Sequence, residues 1–318
     1  MSQRTVELLR ADMRGEHRAI IQYLFQAYMM GEGDTATALE AIAREEMRHL
    51  DWLADAITSL GGDPTMTRDE VDFCLGPLAG QLRRDVSLEQ EAIDQYRAHM
   101  EEIQDEGVRL TLARIIHDEV AHQGQFRHLA EAAEAEMRAP GEPAEEAAPT
   151  EPPARLLDIL NQGVRHEYSV ILQYLYHSFV TPDKEIMEEM QNIAINEMQH
   201  MGWLSEHAAE TGGTPDMEHG DLVLTRDHRE MLEADLAAER EVTRVYSRQI
   251  PEIDDEGLRD VLTRVRDHEI HHDAVFSALL EEVAADEEAA LPGAEECEPS
   301  PPADAPRRPP PPIGSLKE

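Results

Sequence analysis

The sequence predicts an all-α protein built as two tandem four-helix bundles, and three observations carry that expectation. Aromatic residues make up only 4% of the 318 residues, while Ala, Glu, Leu and Met abound, a balance that favours helices over sheets. The chain also repeats itself. EHRAIIQYL from Glu16 matches EYSVILQYL from Glu167, EEMRHLDWL from Glu45 matches NEMQHMGWL from Asn196, and SLGGDP from Ser59 matches ETGGTP from Glu210. Finally, Glu-x-x-His recurs at four matched places: Glu46 with His49, Glu119 with His122, Glu197 with His200, and Glu269 with His272. The first and third pairs are 151 residues apart and the second and fourth 150.

The 3.6-residue period places four helices in the first half, at about 3–31, 35–60, 74–104 and 106–137. Gly31-Glu32-Gly33-Asp34 stops the first and caps the second. Gly61-Gly62-Asp63-Pro64 ends the second, and Asp105-Glu106-Gly107 is a tight turn between the last two. The second half mirrors this at about 154–180, 183–210, 224–249 and 252–284, with Thr181-Pro182-Asp183 opening its second helix and proline in the first turn. Two Pro/Glu-rich segments break the pattern and cannot bury a core. The expected organisation is therefore bundle 1 at 1–137, a linker at 138–153, bundle 2 at 154–284, a disordered Pro-rich tail at 285–311 and a terminal peptide at 312–318.

The formal net charge is −39, from 67 acidic against 28 basic residues. Such a field repels nucleic acid and anionic membrane surfaces and draws in cations. Cys74 and Cys297 are far apart and imply no disulfide framework, which points to a reducing, cytoplasmic setting. No run is apolar enough for a membrane span, and the N-terminus lacks the apolar core of a signal peptide.

On a helix, residues i and i+3 share a face, so each Glu-x-x-His sends a carboxylate and an imidazole into one space. Two such helices supply two Glu and two His, and the other two helices must supply one Glu each. Glu16 and Glu89 are the candidates in the first half, Glu167 and Glu239 in the second. Glu16 shares a face with Tyr23, Glu167 with Tyr174, Glu89 with Tyr96 and Glu239 with Tyr246, each seven residues on. Glu91 and Glu241 compete for the third-helix position. Four carboxylates and two imidazoles per bundle make a dinuclear metal site, with carboxylates bridging two cations. The oxygen-rich set suits iron or manganese. Tyr23 and Tyr174 either fill the core beside a carboxylate or deliver an electron to an oxidised metal pair. The other eleven histidines fit no repeated ligand position and are expected in solvent or beside the ligands.

These motifs resemble the bacterioferritin branch of the ferritin-like superfamily, over roughly 1–137 and 154–284. The resemblance implies a ferroxidase that oxidises Fe(II) with O2 or H2O2 at a di-iron site in each bundle. Its ligands would be Glu16, Glu46, His49, Glu89, Glu119 and His122, then Glu167, Glu197, His200, Glu239, Glu269 and His272, with Tyr23 and Tyr174 redox-active. It further implies haem b held by one methionine from each of two subunits, here Met47 and Met198, so that two fused halves would mimic a subunit pair. A homo-oligomer is a further expectation. The family's inner-surface iron site, a His and an Asp, falls on Ala41 and Glu45 and on Asn192 and Asn196, a departure that argues against direct mineral nucleation. Two other activities suit the same residues: peroxide removal at di-iron or di-manganese, and iron buffering without turnover. The chain has no Cys-x-x-Cys rubredoxin motif.

The terminal peptide Pro312-Ile313-Gly314-Ser315-Leu316-Lys317-Glu318 is similar to the targeting peptides of encapsulin cargo proteins, which carry a Gly-Ser-Leu core after a flexible spacer. Ile313 and Leu316 would be the apolar anchors, with the encapsulin shell as partner.

Overall fold

The computed structural model describes residues 2–73, 75–138 and 154–290. The chain is all-α, with two four-helix bundles. The first comprises α1 (Ser2–Met30), α2 (Asp34–Ser59), α3 (Leu78–Glu102) and α4 (Glu106–Arg138). The second comprises α5 (Ala154–Val180), α6 (Lys184–Glu210), α7 (His228–Gln249) and α8 (Glu256–Ala290). A 3-10 turn, Ile250–Glu252, joins the last two. Residues 139–153, most of the expected tail and the whole of 312–318 lie outside the described residues, as do Cys74 and Cys297. Among the described residues no helix is long and apolar enough to cross a membrane.

The helix ends follow local chemistry. Gly31, Gly61 and Gly212 take φ of +69°, +76° and +82°, the left-handed region that side chains other than glycine's disfavour. Asp183 caps α6 by accepting from the Glu185 and Ile186 N–H groups, and Asp227 caps α7 by accepting from Glu230 N–H. Pro182 therefore precedes the cap instead of sitting in the first turn. α3 begins at Leu78, not 74, because Pro77 is extended at its N-cap. α7 begins after Asp227 rather than at 224, and α8 at Glu256 because Pro251 holds the preceding residues in the 3-10 turn. α4 takes in Arg138 and α8 runs on to Ala290, past the expected 137 and 284.

Within each bundle the first helix packs along the second and the third along the fourth, and the two pairs close on each other. Leu9, Leu39, Leu112 and Phe126 are fully buried in the first core, Leu160, Met190, Leu262 and Phe276 in the second. Burying such side chains stabilises by roughly 1.5–3 kcal/mol each. The bundles also pack on each other, α1 against α6 and α2 against α5. Tyr168 Oη lies 2.6 Å from His17 Nε2 across this interface. The Arg68 guanidinium donates to the Met217 carbonyl at 3.0 Å and to Glu218 at 2.9 Å. Arg226 donates to Asp63 at 2.7 Å and to the Gly62 carbonyl at 3.1 Å. His17 and Tyr168 occupy the same position in the two repeats, as do Arg68 and His219.

Candidate metal centres

In the first bundle Glu16 comes from α1, Glu46 and His49 from α2, Glu89 from α3, and Glu119 and His122 from α4. They form two overlapping groups: Glu16, Glu46, His49 and Glu119, and Glu46, Glu89, Glu119 and His122. The second bundle repeats this with Glu167, Glu197, His200 and Glu269, and with Glu197, Glu239, Glu269 and His272. Within each group one donor atom per residue lies within 4.8 Å of all the others. None of the twelve side chains is more than 3% exposed.

The two carboxylates common to both groups divide their oxygens between the imidazoles. His49 Nδ1 is 2.8 Å from Glu46 Oε2 and 3.0 Å from Glu119 Oε1. His122 Nδ1 is 2.9 Å from Glu46 Oε1 and 3.4 Å from Glu119 Oε2. In the second bundle His200 Nδ1 is 2.6 Å from Glu197 Oε2 and 3.0 Å from Glu269 Oε1. His272 Nδ1 is 2.8 Å from Glu197 Oε1 and 3.4 Å from Glu269 Oε2. Glu16 and Glu89 stand at opposite ends of the cluster, one in each group.

This donor set fits two divalent cations. Glu46 Oε1, Glu119 Oε1, His122 Nδ1, Glu197 Oε1, both Glu269 oxygens and His272 Nδ1 are buried without a hydrogen-bond partner, though other donors lie within about 3 Å. Buried polar atoms left so are costly. Neighbouring donors around a six-coordinate ion with bonds of ~2.1 Å sit about 3 Å apart, close to the 2.6–3.4 Å between the imidazoles and the shared carboxylates; Glu16, Glu167 and Glu239 stand 3.6, 3.8 and 3.8 Å from an imidazole nitrogen. Four carboxylates against two divalent ions also sum to zero charge, which removes the cost of burying the acids alone.

Without cations, protons take their place. Burial, reinforced by Glu119 and Glu46, pushes the Glu16 and Glu89 carboxyls well above the usual range. Burial carries Glu197 up to about 7 and Glu239 up to about 8. Burial pushes the His122 imidazole down, but Glu119 and Glu46 carry it up to about 11. His200 and His272 rise to about 12 for the same reason.

The tyrosines brace the carboxylates crosswise. Tyr23 donates to Glu89 at 2.5 Å, and Tyr96 donates to Glu16. Tyr174 donates to Glu239 and Tyr246 to Glu167. Each tyrosine thus binds the carboxylate of the opposite helix, not the one it shares a face with. Glu91 turns outward to Arg18 at 3.1 Å and Glu241 is exposed. Trp52 and Trp203 lie against the His49 and His200 rings, centroids 5.7 and 5.8 Å apart.

Some residues beside the centres went unrecognised in the sequence. Asp85 accepts from Gln22 at 2.7 Å and Gln26 at 3.0 Å. Asp235 accepts from Gln173 at 2.7 Å and lies 3.0 Å from His177 Nδ1. Asp85 and Asp235 match across the repeats, four residues before Glu89 and Glu239, so the signal was present. Not all the remaining histidines are solvated: His17 and His177 are buried, and His268 meets His200.

Met47 and Met198 line one cleft of about 790 Å³ between the bundles, together with Leu24, Leu50, Leu175 and Phe179. Its walls also carry the charged residues Arg44, Glu45, Arg48 and Asp51, and its size is within the usual range of ligand pockets.

The ferritin-like domain profile matches residues 6–135 and again 157–285, so it covers most of the chain. The chain belongs to the ferritin-like domain family. Among curated relatives of this ferritin-like protein, the bacterioferritin of Desulfovibrio desulfuricans is 29% identical over 133 residues, 40% of this chain and 74% of that protein. Solved structures of similar fold include the same organism's bacterioferritin, with its diiron site (24% identity, 46% of this chain, 96% of that one, TM-score 0.41). The Mycobacterium tuberculosis bacterioferritin matches with 24% identity, 43% and 90% coverage and a TM-score of 0.40. A manganese catalase from Anabaena matches with 21% identity, 46% and 81% coverage and a TM-score of 0.36.

Proposed function

We propose that each bundle is a ferroxidase, taking up two Fe(II) ions and passing their electrons to O2 or H2O2. The observation that carries this reading is the pair of carboxylates in each bundle, Glu46 with Glu119 and Glu197 with Glu269, each offering one oxygen to either imidazole. Bridging carboxylates hold two cations close enough to act on one oxidant, and two Fe(II) supply the two electrons that reduce O2 to peroxide. Manganese is the other metal this donor set accepts. The residues' work is to keep the pair together, exclude bulk water and hold the terminal carboxylates still. We assign a further electron to Tyr23 and Tyr174, which donate to Glu89 and Glu239; Tyr96 and Tyr246 donate likewise to Glu16 and Glu167. The bacterioferritin relative supports the reading.

Fe(II)-dependent O2 consumption tests it: the Glu46→Ala, Glu197→Ala double variant is expected to lose the fast phase, and a rate equal to wild type would reject the function. Peroxide turnover without net iron oxidation would favour a peroxide-removing enzyme, and tight iron binding without oxidation in air would favour a buffer. We also infer haem b in the cleft shared by Met47 and Met198, a reading supported by their common lining of it; the visible spectrum of the purified protein tests it.

Residues 312–318 are proposed to direct the chain into an encapsulin shell, where the shell rather than this chain stores the oxidised iron. The support is the sequence Pro312–Glu318 after a Pro-rich spacer. Deleting 312–318 is expected to abolish loading into a co-expressed shell, and retained co-purification would reject the assignment.

A further inference from the structure

The two centres share their inner donors but differ in what stands behind them and in how they are reached. In the first bundle His122 Nε2 lies 2.9 Å from Glu45 Oε2. His49 Nε2 lies 3.6 Å from Asp118 Oδ2, a carboxylate that Arg114 fixes at 3.1 Å. Both imidazoles thus turn their outer nitrogen toward a carboxylate. The repeat-equivalent positions in the second bundle are Asn196 and His268. There His200 Nε2 meets not a carboxylate but the ring nitrogen of His268, at 2.9 Å. A carboxylate accepting the outer N–H of a ligand imidazole fixes its orientation and raises its basicity; its loss typically weakens metal binding by about 10- to 100-fold.

Access differs as well. A cavity of about 110 Å³ between α1 and α3 touches Glu16, Glu46, Glu89 and Glu119 from outside. Its lining includes the small or polar residues Gly15, Ala19, Ala92 and Gln95, together with Arg18 and Leu88. The counterparts of Gly15, Ala19, Ala92 and Gln95 in the second bundle are His166, Val170, Val242 and Val245, larger or less polar, whereas Arg18 and Leu88 are matched by the smaller Ser169 and Ala238. The cleft between α5 and α7 is lined by Asn161, Arg165, His166 and Glu241, and by none of the six candidate ligands of that bundle.

We propose that the two centres are unequal, the N-terminal one binding divalent metal more tightly and filling first, with Glu45 as its affinity-setting residue and Gln95 on its inlet. The inference rests on the dinuclear reading above. It makes the second centre the slower and weaker one, filled when the first is saturated.

Anaerobic titration of the metal-free full chain with Co(II), followed by visible ligand-field absorption, tests this without any oxidation step. Two resolved steps of two ions each are expected, at least about tenfold apart in Kd. Glu45→Asn is expected to weaken the tighter step by about 10- to 100-fold, and Asn196→Glu to tighten the weaker one, a gain that misfolding could not produce. In stopped-flow mixing, Gln95→Val is expected to slow the faster phase. Four equal sites in the wild type would overturn the inequality and leave the dinuclear reading standing, as would a Glu45→Asn effect confined to the weaker step. No Co(II) uptake by either half would overturn both.

Discussion

His17 makes the joint between the bundles sensitive to acid, and the size of the effect follows from its surroundings. The ring is 3% exposed, packs edge-on against Tyr168 with centroids 5.8 Å apart, and accepts the Tyr168 hydroxyl at Nε2. Burial, with Arg68 and His219 adding like charge nearby, lowers its pKa from the ordinary 6.5 to about 3. Above pH 6.5 the ring is neutral whether the chain is folded or not, and its contribution is intact. Between pH 6.5 and 3 the unfolded chain binds a proton that the folded one refuses, so stability falls as pH falls. At about 1.4 kcal/mol per pH unit, the full loss is about 5 kcal/mol, a third or more of the roughly 5–15 kcal/mol stability of an ordinary domain. His17→Gln keeps an acceptor for Tyr168 and removes the titration. Urea unfolding of metal-free wild type and variant, at intervals from pH 7 to pH 3.5, measures the difference. The variant is expected to be about 1–2 kcal/mol less stable at pH 7 through altered packing, and to draw level with or overtake wild type near pH 4–5. Parallel pH profiles for the two proteins would refute the argument.

Three other expectations concern the centres and the core. Metal binding must displace the protons of Glu197 and Glu239, which titrate near 7 and 8 in the empty site, so Mn(II) affinity of the second bundle should rise from pH 6 to pH 8.5; calorimetry in buffers of different ionisation enthalpy should show proton release. Tyr23→Phe with Tyr174→Phe removes the donors to Glu89 and Glu239 and is expected to leave metal stoichiometry at the wild-type value while abolishing any tyrosyl radical on these two residues seen by electron paramagnetic resonance after oxidation. Phe126, fully buried against Tyr23 with ring centroids 4.9 Å apart, should cost about 3–5 kcal/mol when cut to alanine, read as a lowered midpoint in urea for the first bundle.

The bundles were legible because helical period and repeat reinforce each other: each Glu-x-x-His is local, and its copy 150 or 151 residues away confirms the face. The preference for Glu89 over Glu91 was legible in the helical period, since Glu89 shares a face with Tyr96 and Glu91 does not; in the structure Glu89 is buried and Glu91 turns out to Arg18. The crossed tyrosine bonds were missed. A shared face puts Tyr23 near Glu16 along one helix, but the hydroxyl reaches across the bundle to Glu89. The late starts of α3 and α7 came from Pro77 and Asp227, whose extended backbone overrides the apolar period before them. The bond between His17 and Tyr168 joins residues 151 apart in sequence, and periodicity along one helix says nothing about such a pair.

That pair bears on what joining two bundles in one chain permits. Where two identical chains meet about a two-fold axis, a residue near the axis faces its own twin, and one side chain has to suit both places. Here the same position holds histidine on one side and tyrosine on the other, and likewise Arg68 and His219. Each half has specialised as a lock for the other. The covalent tether also keeps the halves at a high effective concentration, which can be on the order of millimolar when two modules are joined in one chain. Dilution that would dissociate a pair of separate chains leaves this one paired, and with it the cleft that Met47 and Met198 share.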